Sequence, residues 1–194
     1  MKYEITIQGV TPLLMNRFTE AAQQSLSAPK TVLQGKKGTP REQAEPKAYR
    51  NEKGNYTVPG VNIFRAIVDA GSFIKSGKTK LTTQKSSLVT SFAFMETLEA
   101  VVCNEEKKPV PDFEVDSRGV VIPATGGRIM AHRPRFDVWN LTFQVELDET
   151  ECSPELFREL VDQAGKKVGL GDFRPSRKGV FGRFKVTHWQ KRAA

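Results

Sequence analysis

Residues 141–189 carry the order of patterns that most restricts what this chain can fold into. Leu141, Phe143, Val145 and Leu147 alternate with Thr142, Gln144 and Glu146, the period-two signature of a strand with one buried face. Ser153 then suits a helix N-cap and Pro154 the first helical position. Leu156, Phe157, Leu160, Val161 and Ala164 supply the apolar stripe, and Gly165 is the expected stop. A closing strand is predicted from Phe181 to Trp189, with Phe184, Val186 and His188 on one face and Arg183, Lys185, Thr187 and Trp189 on the other.

The N-terminal half repeats that order. Tyr3, Ile5 and Ile7 alternate with Lys2, Glu4, Thr6 and Gln8 until Gly9 and Pro12 end the strand. Asn62 is a plausible cap for a helix with Ile63, Phe64, Ile67 and Val68 on one face and Gly71 at its end. Residues 88–102 are apolar without a clean period and read as strand material. The sum is strand, helix, strand, strand, helix, strand: an α+β, ferredoxin-like (RRM-like) βαββαβ core in one domain spanning 1–194. Two insertions interrupt it. Residues 19–57, rich in Pro, Gly and cations, are expected to be mobile, and residues 103–128 to form a hairpin-like excursion.

Thirty Lys and Arg oppose 22 Asp and Glu, giving a net charge of +8 and a pI near 9.6, which favours an acidic partner such as nucleic acid. Arg128, Arg133 and Arg135 lie in a stretch without acids, and beyond Gly171 only Asp172 opposes seven cations. Cys103 and Cys152 stand far apart with no neighbouring His, so the pattern calls for neither disulfide, metal nor cofactor. No apolar run reaches membrane-spanning length and the N-terminus enters a strand pattern directly, which places the chain among soluble, cytoplasmic proteins.

Between the second helix and the last strand runs a glycine-framed basic loop from Gly169 to Phe184. Gly169, Gly171, Gly179 and Gly182 permit close backbone approach, while Arg174, Arg177, Lys178 and Arg183 supply cations that pair with phosphate. A dinucleotide-binding fingerprint follows a strand and opens a helix, and this loop does the reverse.

Three stretches together resemble the RAMP superfamily of CRISPR systems and, within it, the backbone subunits of the Cas-seven group. They are Ile5-Thr6-Ile7-Gln8-Gly9-Val10-Thr11-Pro12-Leu13-Leu14, Tyr56-Thr57-Val58-Pro59-Gly60-Val61-Asn62-Ile63-Phe64-Arg65-Ala66-Ile67, and the glycine-rich loop. Phe64 departs from the small residue many relatives keep. The resemblance implies a guide-RNA-binding subunit of an antiviral effector ribonucleoprotein, with guide RNA, copies of itself and other effector subunits as partners, and no membrane. The chemistry would be binding, with main-chain amides at Gly169, Gly171, Gly179 and Gly182 approaching the RNA backbone and Arg174, Arg177 and Lys178 neutralising phosphates. Asn16, Arg17 and Arg65 are candidates for the same groove.

Arg128, Arg133 and Arg135 are candidates for a second phosphate contact, with His132 and Phe136 as stacking faces; the alternative is that Phe136 and Met130 are core. Trp189 either stacks on a base or packs against a neighbouring subunit. The stretch from Gly126 to Phe136 also resembles small RAMP-like proteins of phages and prophages, so a phage-encoded mimic acting as an anti-CRISPR is the alternative reading. RAMP endoribonucleases are a third class. Glu42, Glu45 and Glu52 are acids of the first insertion, none beside a histidine that would act as general base, so no catalytic residue is expected and the chain reads as a non-enzyme.

Overall fold

The computed structural model describes residues 1–18, 38–121 and 126–192. In chain order, β1 (Lys2–Gly9) and the short β2 (Leu13–Leu14) come first, and α1 (Pro40–Ala44) follows. Next, β3 (Thr57–Pro59) runs directly into α2 (Gly60–Ala70). A small hairpin of β4 (Lys75–Ser76) and β5 (Thr79–Lys80), then one helical turn, α3 (Val89–Phe92), lead to β6 (Ala93–Met95) and β7 (Glu99–Val101). The chain finishes with β8 (Glu114–Val121), β9 (Arg128–Phe136), β10 (Asn140–Leu147), α4 (Pro154–Gln163) and β11 (Phe184–Arg192).

The central sheet has four strands in the order β11-β1-β10-β6, every neighbouring pair antiparallel. With β1, β6, β10 and β11 as the first to fourth core strands, the spatial order is fourth, first, third, second: the ferredoxin-like split βαβ arrangement. The alternation in β1 and β10 decides which face is covered. Tyr3, Ile5, Ile7, Leu141, Phe143, Val145 and Leu147 are all buried, and they meet Ile63 and Ile67 of α2 and Phe157, Leu160 and Val161 of α4. Ser153 caps α4 as its sequence predicts, its Oγ accepting the Leu156 N–H at 3.2 Å, with Pro154 at the first position.

Three local details differ from the sequence reading. The helix α2 begins at Gly60 with Pro59 as its cap, so Asn62 lies inside the helix and on its exposed side. Gly60 takes that start because Pro59-Gly60 passes close beneath another segment: a Cβ there would sit 1.8 Å from the Thr97 carbonyl. The second helix does not stop at Gly165 but continues as a π-helical turn over Ala164–Val168. Lastly, Thr6 pairs with His188 but Ile7 with Val186, leaving Thr187 as a bulge. A one-residue slip exchanges the faces of a strand. Trp189 therefore turns inward onto Tyr3 and Phe157, ring centroids 5.4 and 5.8 Å away, and His188 turns out, which withdraws Trp189 from the cationic face assigned to it above.

A second sheet, β2-β9-β8, stands beside the first. The excursion at 103–128 contains β8, which pairs with β9 in register from Glu114↔Arg135 to Val121↔Arg128. Of the 19–57 insertion, residues 19–37 lie outside the described residues, so the expectation of mobility there has no structural counterpart. Residues 38–57 are folded onto this hairpin. The Tyr56 ring packs edge-on against Phe113 and Phe136 at 5.7 and 5.1 Å, and Arg41 lies 3.7 Å over the Phe113 ring while donating to the Phe113 carbonyl at 2.7 Å. Among the described residues, no helix is long and apolar enough to cross a membrane.

Candidate nucleic-acid interface

The glycine-rich loop is a tightly folded object. Gly169, Gly171 and Gly182 take φ of 75°, 73° and 68°, the left-handed region that glycine enters without a steric cost. Gly179 is required for another reason: a Cβ there would lie 1.7 Å from the Phe173 carbonyl oxygen. The amides do not point outward as expected. Gly169 N–H donates to Ala164 O at 2.8 Å, Gly179 N–H to Arg174 O at 3.0 Å and Gly182 N–H to Pro12 O at 2.8 Å. These three main-chain donors are spent on the preceding helical turn, inside the loop and on the segment after β1, so they are not available to RNA as their assignment expected.

What the loop presents instead is side chains. Packed against Leu13 and Leu14 on one side and facing α2 on the other, it closes a cleft of about 250 Å³. Asn16, Arg65, Gly169, Gly171 and Arg174, placed far apart by sequence, meet there. Arg174 is half-buried, its Nη1 donating to the Gly171 carbonyl and its Nε to Ser176 Oγ, both at 2.9 Å. Among the described residues no carboxylate ion-pairs with it. Burial and the neighbouring Arg177 cation push its pKa below the ordinary arginine value, as expected of a guanidinium lacking a counterion. Arg65, by contrast, is paired to Asp69 at 3.1 Å. Arg177, Lys178, Arg183 and Arg17 are exposed but do not line the cleft, Lys178 in a left-handed conformation at φ 61°.

The second basic stretch, on β9, is built differently. Arg133 is buried, its Nε donating to Asp172 Oδ2 at 2.5 Å while its guanidinium sits 4.8 Å from the Phe173 ring centroid. It is an internal ion pair between the hairpin and the glycine loop, not a free phosphate contact. His132 is buried with its Nδ1 2.7 Å from Ser117 Oγ, and Phe136 is core, so neither offers a stacking face. Met130 is 56% exposed rather than core. Arg135 pairs with Asp137 at 2.6 Å, which leaves Arg128 as the exposed cation of this group without an ion pair among the described residues.

Sequence reasoning missed Asp172 and Lys47. Asp172 is the junction of the site: its N–H donates to Leu14 O at 2.8 Å, and its Oδ2 accepts from Asn16 at 3.2 Å as well as from Arg133. Its position as the lone acid of the basic loop was the available signal. Lys47 donates to the His132 carbonyl at 2.6 Å; burial, and then the Arg133 cation, lowers its pKa, with Asp172 opposing. Nothing in its sequence surroundings marks it. Arg118 completes the contact between hairpin and loop, salt-bridged to the buried Asp116 at 2.7 Å and 4.5 Å from the Phe181 ring centroid.

The open face of the central sheet has a different chemistry. Lys2, Glu4, Thr6 and Gln8 pair with Glu146, Gln144, Thr142 and Asn140 across it, and Thr6 and Thr142 share a hydrogen bond at 3.0 Å. Phe94 at the far edge is the one Phe, Tyr or Trp that strand register places on this face among the described residues. Sheet-face recognition of RNA uses aromatic rings on the central strands, and β1 and β10 supply none.

No protein-family model matches this sequence, and no curated protein is similar to it at the sequence level. Among solved structures, the fold is similar to a chain in the cryo-EM structure of the type III-B Cmr-beta complex bound to cognate target RNA, with a TM-score of 0.53 and 10% identity. The match covers 97% of this chain and 59% of that one, so this protein spans under two thirds of that chain's length. At this identity the likeness is one of fold, and it agrees with the ferredoxin-like strand order.

Proposed function

We propose that this protein binds single-stranded guide RNA as a subunit of a CRISPR effector ribonucleoprotein, assembling with copies of itself along the RNA. The observation that carries the reading is Arg174: a half-buried guanidinium without a carboxylate partner among the described residues, at a cleft edged by Asn16 and Arg65, with exposed Arg177 and Lys178 following it in the same loop. A cation held this way is favoured by an arriving phosphate, and the exposed cations beside it extend the contact along a backbone. Fold likeness to a chain from an RNA-bound Cmr complex supports the same class of partner.

The reading is one of binding without turnover. Glu42 is spent in a capping box, its Oε2 accepting the Thr39 N–H at 2.7 Å. Glu45 is paired with Arg50 at 2.6 Å, and Glu52 lies in an exposed turn. Among the described residues none is joined to a histidine or a second acid that would set it up for proton transfer. Incubating a guide-loaded assembly with complementary RNA should give no cleavage; regularly spaced cuts abolished by alanine at one of these three acids would make the protein a nuclease.

Binding itself is tested by fluorescence anisotropy of a short single-stranded RNA across a salt series. Wild-type affinity should fall steeply with salt, and replacing Arg174, Arg177 and Lys178 together by Ala should flatten the log–log slope by about 2, at roughly 0.7 per phosphate contact. Affinity that does not change with salt would sink the reading.

A further inference from the structure

The charges of the cleft cancel unevenly. Asp69 is taken by Arg65 at 3.1 Å, and Asp172 by Arg133 and Asn16. Arg174 alone is left over. A cleft that itself took a run of phosphates would line its interior with several such cations, not with an apolar floor, so the backbone track along Arg177 and Lys178 lies outside it. This hollow has one: Leu13, Met15, Val58, Ala66 and Leu170 lie at its base, and the half-buried ring of Tyr49 lines its wall. Asn62, exposed on α2, stands at the rim and makes no side-chain hydrogen bond among the described residues, so its amide offers both a donor and an acceptor. One cation beside an apolar, ring-walled hollow with an amide edge is complementary to a flat heterocycle attached to a single phosphate.

We propose that this cleft seats one unstacked nucleobase of a single RNA strand, with Tyr49 against its face, Asn62 on its edge and Arg174 on the adjoining phosphate. The proposal rests on the RNA-binding reading and adds a base-holding function to a site otherwise described by its cations. Stacking on an aromatic ring is tolerant of base identity, since every base has a π-face. Asn62 adds hydrogen bonding at the edge, where identity can be sensed.

The test compares a short single-stranded RNA with the same strand carrying abasic riboses, each bound to the full chain and followed by anisotropy, with free AMP as a third ligand. The intact strand should bind about ten-fold more tightly than the abasic one, the size of one base–aromatic stack. Tyr49→Leu should shrink that ratio without changing the salt slope, because the count of phosphates is unaffected. Asn62→Ala, at an exposed position that folding does not depend on, should shrink it more modestly. Equal binding of intact and abasic strands overturns the base seat and leaves the RNA-binding reading standing. Failure of both strands overturns the RNA reading; AMP binding weakened by Tyr49→Leu would then keep the seat as a free-nucleotide site, and no AMP binding would overturn the seat as well.

Discussion

The two arginine-bearing stretches of this protein have similar composition and opposite fates. In the glycine loop the backbone is committed inward, with Gly169, Gly179 and Gly182 donating to carbonyls of the loop and its neighbours, while Arg174, Arg177 and Lys178 keep their charges free of carboxylates among the described residues. On β9 the side chains are committed as well: Arg133 to Asp172 and Phe173, His132 to Ser117, Arg135 to Asp137. The difference is positional. The C-terminal half of β9 is packed against β8, β2 and α1, so Arg133 there has an internal partner, while Arg128 at the strand's start stays exposed; Arg177 and Lys178 of the glycine loop are likewise exposed and open to a ligand. A cationic stretch thus reads as a binding surface only where its backbone requirements are already met and its side chains are not.

That comparison is most sharply tested at Gly182. Alanine there would bring a Cβ to 1.8 Å from the Leu170 carbonyl at a φ of 68°, so Gly182→Ala should cost about 3 kcal/mol in chemical denaturation. An unchanged midpoint would mean the loop is not held as described. Next comes Arg133→Ala, which strands Asp172. The loss should be about 2 kcal/mol, below the range for a fully buried pair because the Asp172 side chain is 29% exposed. A similar loss from Arg174→Ala would erase the distinction between the two stretches, since that variant is expected to stay within about 1 kcal/mol of wild type while lowering the salt slope of RNA binding by about 0.7.

The smallest expected effect lies at Lys47. Its pKa is lowered in the fold by burial and by Arg133, so below that depressed value the protonated lysine costs stability, and the cost is relieved as pH rises toward the unfolded value. Lys47→Met should therefore be neutral to slightly stabilising near neutral pH, with its advantage over wild type shrinking as the solution becomes alkaline. A clear loss at pH 7 would show that the hydrogen bond to the His132 carbonyl outweighs desolvation.

Much of the sheet was legible in the sequence because alternation and burial are the same fact seen twice. Ile5 and Ile7, or Phe143 and Val145, have to share a face. The cap at Ser153-Pro154 was equally local. Trp189 was misplaced because its face depends on the bulge at Thr187, and a bulge is set by pairing with β1 rather than by the residues of β11. The site was legible in part: Arg65, Asn16 and Arg174 were named from three separate stretches and meet at one cleft. Asp172 and Lys47 were not assigned there, since an ion pair to Arg133 and a hydrogen bond to the His132 carbonyl are relations between distant residues, and only Asp172, as the lone acid of its loop, carried a local signal.

By itself the sequence determined the order of elements, the covered face of β1 and β10, the capped second helix and the concentration of cations in a glycine-framed turn, because each follows from residue size, polarity and spacing within a few positions. The tertiary structure alone decided which of those cations stay available. Whether an arginine is a structural ion pair or a ligand contact depends on what lies across from it, and Asp172, carried from the loop to within 2.5 Å of Arg133, took one arginine out of reach while Arg174, two residues away, has no carboxylate partner among the described residues.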